Sequence, residues 1–210
     1  MTAVDATLSR TYLRPATARE ETLVERFQPV FDRIAEGSIE RERNRTFPFE
    51  QVQWLKDADF ALVRVPMEFG GFGASLEQVF YLLALLAEAD ANVAHIWRNH
   101  LAFVEDRLNA RPSAANERWL KRFRDREFVG GGWTEANNGT YATIKTTVTK
   151  TDDHYRVSGA KFYATGSLYA DWLDVIGKDA EGTLITTLVN RHQPGVELTD
   201  DWPGFGQRTT

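Results

Sequence analysis

From Thr17 to about Phe123 the apolar positions recur with the helical period of about 3.6 residues. Thr17-Ala18-Arg19-Glu20 has the form of a capping box, in which a hydroxyl and a carboxylate take up free backbone N–H groups. Leu23, Phe27, Val30, Phe31 and Ile34 then share one face of a helix, and Pro29 among them predicts a kink or a break. The run Arg41-Glu42-Arg43-Asn44-Arg45 reads as the solvated end of that helix or the loop after it. Pro48 to Ala58 reads as a short helix with proline in its first turn. Phe69-Gly70-Gly71-Phe72-Gly73 is a loop, and Ser75-Leu76-Glu77-Gln78 is a second capping box. The helix it opens, to about Ala89, is apolar nearly all round (Val79, Phe80, Leu82, Leu83, Leu85, Leu86), which predicts a central place in a bundle. Helices over Ala91 to Ala110 and Ser113 to Phe123 follow, the last turning Trp119 and Leu120 inward.

Beyond Phe128 the period changes to two. Ile144 to Lys150, Tyr155 to Phe162, Trp172 to Ile176, Leu184 to Val189 and Val196 to Leu198 read as strands, separated by turn residues. No helix-length segment lies between them, so the sheet is expected to be mainly antiparallel. The fold class is α+β: a helical domain over residues 1–126, then a barrel-like β-domain over 127–210.

Composition narrows the chemistry. At 42% apolar and 26% charged residues the chain can build a core, and a net charge of −5 argues against a nucleic-acid partner. Cysteine is absent, which removes disulfides, thiol nucleophiles and Cys-ligated metals. No apolar run is long enough for a membrane span, and Met1 to Arg14 does not have the form of a signal peptide, so a cytoplasmic protein is expected. His95 and His100 are five apart, not the four that would put both on one helix face as metal ligands, and no serine elbow or phosphate-binding loop is present. Arg118, Lys121, Arg122, Arg124 and Arg126 alternate with acids and read as a solvated helix end. Gly130-Gly131-Gly132 has two readings: a strand closely approached by neighbouring backbone, or a strand lying against a flat ligand.

Three motifs stand in a recognisable order: Val65-Pro66-Met67-Glu68-Phe69-Gly70-Gly71-Phe72-Gly73, then Trp133-Thr134-Glu135, then Gly159-Ala160-Lys161-Phe162-Tyr163-Ala164-Thr165-Gly166. Together they resemble the acyl-CoA dehydrogenase superfamily. The stretches Lys161 to Trp172 and Asp201 to Thr210 resemble its reduced-flavin-dependent monooxygenases, which act on dibenzothiophene-type and sulfone substrates. The resemblance implies a flavin, FMN with FAD as the alternative, reduced by a separate flavin reductase. It further implies that Trp133, Thr134, Phe162, Tyr163, Ala164 and Thr165 line the cofactor. Thr134 would serve the pyrimidine edge, and Phe162 to Thr165 would offer backbone and aromatic surface to the ring. His100, in Arg98-Asn99-His100, is similar to that branch's histidine near the flavin, a residue whose near-neutral pKa lets it supply and recover a proton.

Two departures accompany the likeness. Ala164 stands where the branch often has a serine, and Gly131 stands near its asparagine, so neither side chain can donate to a flavin edge. The family also continues through the rest of the β-domain into a C-terminal four-helix domain, so this chain is expected to be a C-terminally truncated member. It would be a homo-oligomer if the missing domain were supplied. A monooxygenase acting on a small organic substrate, sulfur-containing among the options, is the leading expectation. The alternatives are an FAD-dependent acyl-CoA dehydrogenase and a non-catalytic remnant or partner-binding fragment.

Overall fold

The computed structural model describes residues 18–136 and 140–210. The first capping box has Thr17 outside the described residues, as does the stretch Met1 to Arg14. Helix α1, Ala18–Ala35, buries Leu23, Phe27, Phe31 and Ile34. Pro29 sits inside it without ending it. Pro29 and Glu25 are both exposed, so the carbonyl that the proline deprives of a donor lies on the solvent side, where water can replace the bond.

The Arg41–Arg45 run is neither a solvated end nor a loop. Ser38–Asn44 is a separate helix, α2, entered through Gly37 at φ 71° and left through Arg45 at φ 53°. Its Arg41 turns inward, pairing with Asp90 at 3.0 Å and donating to the carbonyls of Ile34 and Glu36. The last turn of α1 leaves carbonyls without helical partners, and one guanidinium serves Ile34 there and Glu36 just beyond the helix end. Helix α3 is Phe49–Asp57. Helix α4, Leu76–Ala89, carries the complete capping box: the Gln78 N–H donates to Ser75 Oγ at 3.2 Å, and the Ser75 N–H to Gln78 Oε1 at 2.9 Å. Val79, Leu82, Leu85 and Leu86 of α4 are buried, but Phe80 is 67% exposed, so the helix is covered on one side only. Helices α5, Ala91–Asn109, and α6, Ala114–Arg124, start from Asp90 and Ser113 caps.

The strands are β1 Val129–Gly132, β2 Thr147–Lys150, β3 Tyr155–Ser158, β4 Trp172–Lys178 and β5 Leu184–Asn190. Antiparallel ladders, β2 with β3 and β4 with β5, carry most of the pairing; parallel contacts of β1 and β2 with β4 complete a mixed five-stranded sheet. β5 runs the whole of β4, so β1 and β2 share the other edge of β4. Parallel strands need a long crossover; here the β2–β3 hairpin lies within it, in place of the helix whose absence suggested antiparallel pairing.

Three expected strand segments are not strands. At Ile144–Thr146 the N–H groups of Lys145 and Thr146 go to the Glu135 carboxylate instead of a ladder. Between Gly159 and Phe162 only Phe162 pairs, with Thr134. Val196 and Leu198 lie half-buried against the core in irregular chain. One continuous core runs from Phe27, Phe31 and Phe60 through Trp97 and Phe128 to Leu173, Val175 and Val189, so helices and sheet share it. Beyond β5 the chain returns to α2. Arg45 forks onto Asp200 and donates to the carbonyls of Trp202 and Arg208, and Arg208 donates to the Glu42 carbonyl at 2.9 Å. No helix among the described residues is long and apolar enough to cross a membrane.

Candidate functional site

The glycine-rich motifs come first, since they fix the backbone around everything else. In the 65–73 loop a Cβ on Gly71 would stand 2.1 Å from the Val65 carbonyl oxygen, so the loop closes on itself and delivers the chain to the α4 cap. In β1 a Cβ on Gly130 would meet the Gly166–Ser167 backbone at 2.8 Å, and one on Gly131 would meet Asn99 Nδ2 at 2.5 Å. The bare strand is therefore filled by protein: α5 and the 165–167 turn press against it.

The site residues expected from the sequence gather beyond β1, at an open edge. The Phe162 N–H donates to the Thr134 carbonyl at 2.8 Å, and the two residues form an isolated antiparallel bridge. Residues directly opposite in such a pair place their side chains on the same face. Thr134 and Phe162 are both exposed, so a hydroxyl and an aromatic ring lie together on an open surface. Tyr163 follows at φ 54°, a conformation rare for a bulky residue, with its ring 67% exposed and 5.5 Å from that of Trp202. Ala164 and Thr165 are half-buried. Trp133 belongs to a different contact: its indole N–H donates to Asp174 Oδ2 at 2.8 Å and its ring meets Tyr141. Burial, the largest influence, raises the Asp174 pKa despite that bond.

Two residues that the sequence reading left aside join this group. His95 Nε2 lies 3.4 Å from Thr165 Oγ1, and the Asn99 amide donates to the Thr165 carbonyl at 2.8 Å. Burial, and then the charge of Arg98, lower the His95 pKa. Their four-residue spacing puts both on one face of α5, which is the signal that could have found them. His95 and Arg98 also border an open cleft of about 720 Å³, whose other walls include Ile39, Phe80, Leu83 and Gln207.

His100 is elsewhere. It is fully buried, stacked on Phe128 at 5.0 Å and edged by Trp97 and Phe123. The Val129 N–H donates to its Nδ1 at 3.2 Å, and a backbone hydrogen bond with Ala61 also bears on the ring. Burial, chiefly, pushes its pKa down to about 3. Burial therefore favours the neutral imidazole, enclosed by aromatic rings. Among the described residues no three His, Asp or Glu side chains converge as a metal site requires.

Comparison with known proteins gives the arrangement a lineage. Residues 17–127, more than half of the chain, match the family described as acyl-CoA dehydrogenase, N-terminal domain. A protein of Pseudomonas putida described as "Probable FMNH2-dependent monooxygenase SfnC" is 27% identical over 200 residues, covering 94% of this chain and 47% of the relative. A dibenzothiophene monooxygenase of Mycolicibacterium goodii is 27% identical over 180 residues, covering 82% of this chain and 43% of the relative. The crystal structure of FMN-bound TdsC from Paenibacillus sp. A11-2 superposes with a TM-score of 0.80 at 27% identity, over 89% of this chain and 48% of that one. This chain thus spans about half the length of the relatives it matches. By the match over residues 17–127, the chain belongs to the acyl-CoA dehydrogenase family, through that family's N-terminal domain.

Proposed function

We propose that this chain forms one wall of a flavin site in a monooxygenase that uses reduced FMN, delivered by a separate reductase, on a small organic substrate. Sulfur compounds are the first class to test. The observation that carries the reading is the Thr134–Phe162 pair, a hydroxyl and an aromatic ring on one face of an exposed bridge. A flavin ring system is flat and apolar on its faces and carries hydrogen-bonding atoms along its edges, so it asks for that combination. The residues present fit the group.

In this reading Thr134 turns its hydroxyl to the polar edge, and Phe162 and Tyr163 supply aromatic surface. Ala164 has no side-chain donor, so there the backbone N–H takes the edge. Bound in its reduced form, FMN supplies the reducing equivalents and the ring at which oxygen is activated. His95 is the side chain we assign to proton transfer. Burial and the charge of Arg98 favour its neutral form, so it can take up a proton and return it. His100 stays a packing residue. Residues 1–126 act as the helical unit and 127–210 as the sheet unit that carries the ring-facing bridge. The relatives named for FMNH2 and the FMN bound in TdsC support FMN over FAD.

Flavin fluorescence titrations of the chain and of Thr134→Ala test the reading. FMN is expected to bind more tightly than FAD, with the substitution weakening FMN by about five- to tenfold, the worth of one hydrogen bond. Tighter binding of FAD would move the assignment to an FAD-dependent dehydrogenase. Binding of neither would favour a non-catalytic chain.

A further inference from the structure

Beside the Thr134–Phe162 bridge, in the same antiparallel register, Glu135 stands opposite Lys161. The two form an ion pair at 2.9 Å between Lys161 Nζ and Glu135 Oε1, with side chains 10% and 6% exposed. Successive residues of an extended chain point to opposite faces. The pair therefore occupies the hidden face of the bridge whose open face carries the Thr134 hydroxyl and the Phe162 ring. Glu135 is also the most heavily bonded carboxylate nearby. It accepts the N–H groups of Lys145 at 2.8 Å and Thr146 at 2.9 Å, and the Thr146 hydroxyl at 2.5 Å. Lys161 Nζ reaches the Trp133 carbonyl as well, at 3.4 Å.

A buried ion pair is by itself weak support for stability, because removing both charges from water costs much of what their attraction returns. Its value here is register. The bridge rests on one backbone hydrogen bond, from Phe162 to Thr134. A slip of the 161–162 segment by one residue would turn that segment over, taking the Phe162 ring inward and carrying the Lys161 ammonium out and away from Glu135. The backbone alone resists that slip weakly; a carboxylate anchored to the 145–146 chain and to Lys161 resists it strongly. We infer that Glu135 and Lys161 are positioning residues, which hold Thr134 and Phe162 in the register that faces the flavin. This inference rests on the flavin reading above.

The test compares Glu135→Gln, Lys161→Met and the charge-retaining Lys161→Arg in the full 210-residue chain. Amide hydrogen exchange reads the register directly. Glu135→Gln and Lys161→Met are expected to speed exchange at the Phe162 amide at least about tenfold, with the β4 amides of Val175 and Ile176 unchanged and Lys161→Arg close to the parent. Unchanged exchange at Phe162, or an equal loss of protection across β4, would overturn the inference. If Glu135→Gln does not fold, Thr146→Val, which removes only the hydroxyl donor, takes its place with the same expectation. FMN titration is the second readout: Lys161→Met should weaken FMN binding and Lys161→Arg should retain it. A selective loss at Phe162 with unchanged FMN affinity would also overturn the role. Failure of the flavin reading looks different, since the unsubstituted chain would then bind no FMN while the exchange experiment still decides whether the pair sets the register.

Discussion

At the scale of single residues, five positions along α5 turn a side chain by about 140° around the helix axis, and that rotation separates His95 from His100. His95 faces Thr165 and the open cleft; His100 faces Phe128 and the core. The pattern around His100 places it on the buried face of α5. Val93, Ile96, Trp97, Leu101 and Val104 make an apolar stripe, and His100 lies within it. Burial of a neutral imidazole has a measurable consequence. The unfolded chain binds a proton at His100 near its ordinary pKa of 6.5, whereas the folded chain does so only near 3; Lys56 pushes the value lower and Asp171 higher. Between those values the unfolded state holds the extra proton, so stability falls as pH falls. From pH 8 to pH 5 His100 should remove about 2 kcal/mol from the unfolding free energy. Urea titrations of His100→Gln, which keeps an acceptor for the Val129 N–H, should show a pH dependence flatter by that amount. Equal slopes would mean that His100 titrates as a solvated residue.

At the scale of elements, what could be read was what neighbouring residues decide among themselves. The Ser75–Gln78 capping box is a local device, and it forms as its residue types require. Ser75→Ala should cost about 1 kcal/mol, seen as a lower denaturant midpoint at an unchanged m-value, because the Gln78 N–H loses its acceptor while the exposed surface stays the same. What could not be read depends on partners distant in sequence. Arg41 is half-buried and turned inward because it pairs with Asp90, 49 positions later. Ile144–Thr146 has a strand's alternation but gives its N–H groups to Glu135, ten or eleven positions earlier. Val196–Leu198 has β-type residues but forms no ladder. In the candidate site, Thr134 and Phe162 were legible through their motifs. For Asn99 and His95 the four-residue spacing gave a shared helix face, but only the folded chain shows that this face meets Thr165.

At the scale of the whole molecule, the 200–208 segment ties distant parts together. Arg45 holds it to α2 through Asp200 and two carbonyls, and Trp202 carries it to Tyr163 at the candidate site. Phe205 at its turn is fully exposed. Arg45→Met should release this segment while leaving the core intact. Chymotrypsin cleavage after Phe205 is expected to quicken by about tenfold, with the helical part still resistant. An unchanged rate would show that the segment is held by its other contacts. Across the same molecule, the Asn99 amide that fills the space above Gly131 gives substitution a direction. An alanine at 131 arriving first would displace the amide and break its bond to the Thr165 carbonyl, adding a clash to a lost hydrogen bond. A smaller residue at 99 arriving first forfeits only the hydrogen bond. Descent through this pair of positions is therefore a one-way street, with the helix yielding before the strand can grow.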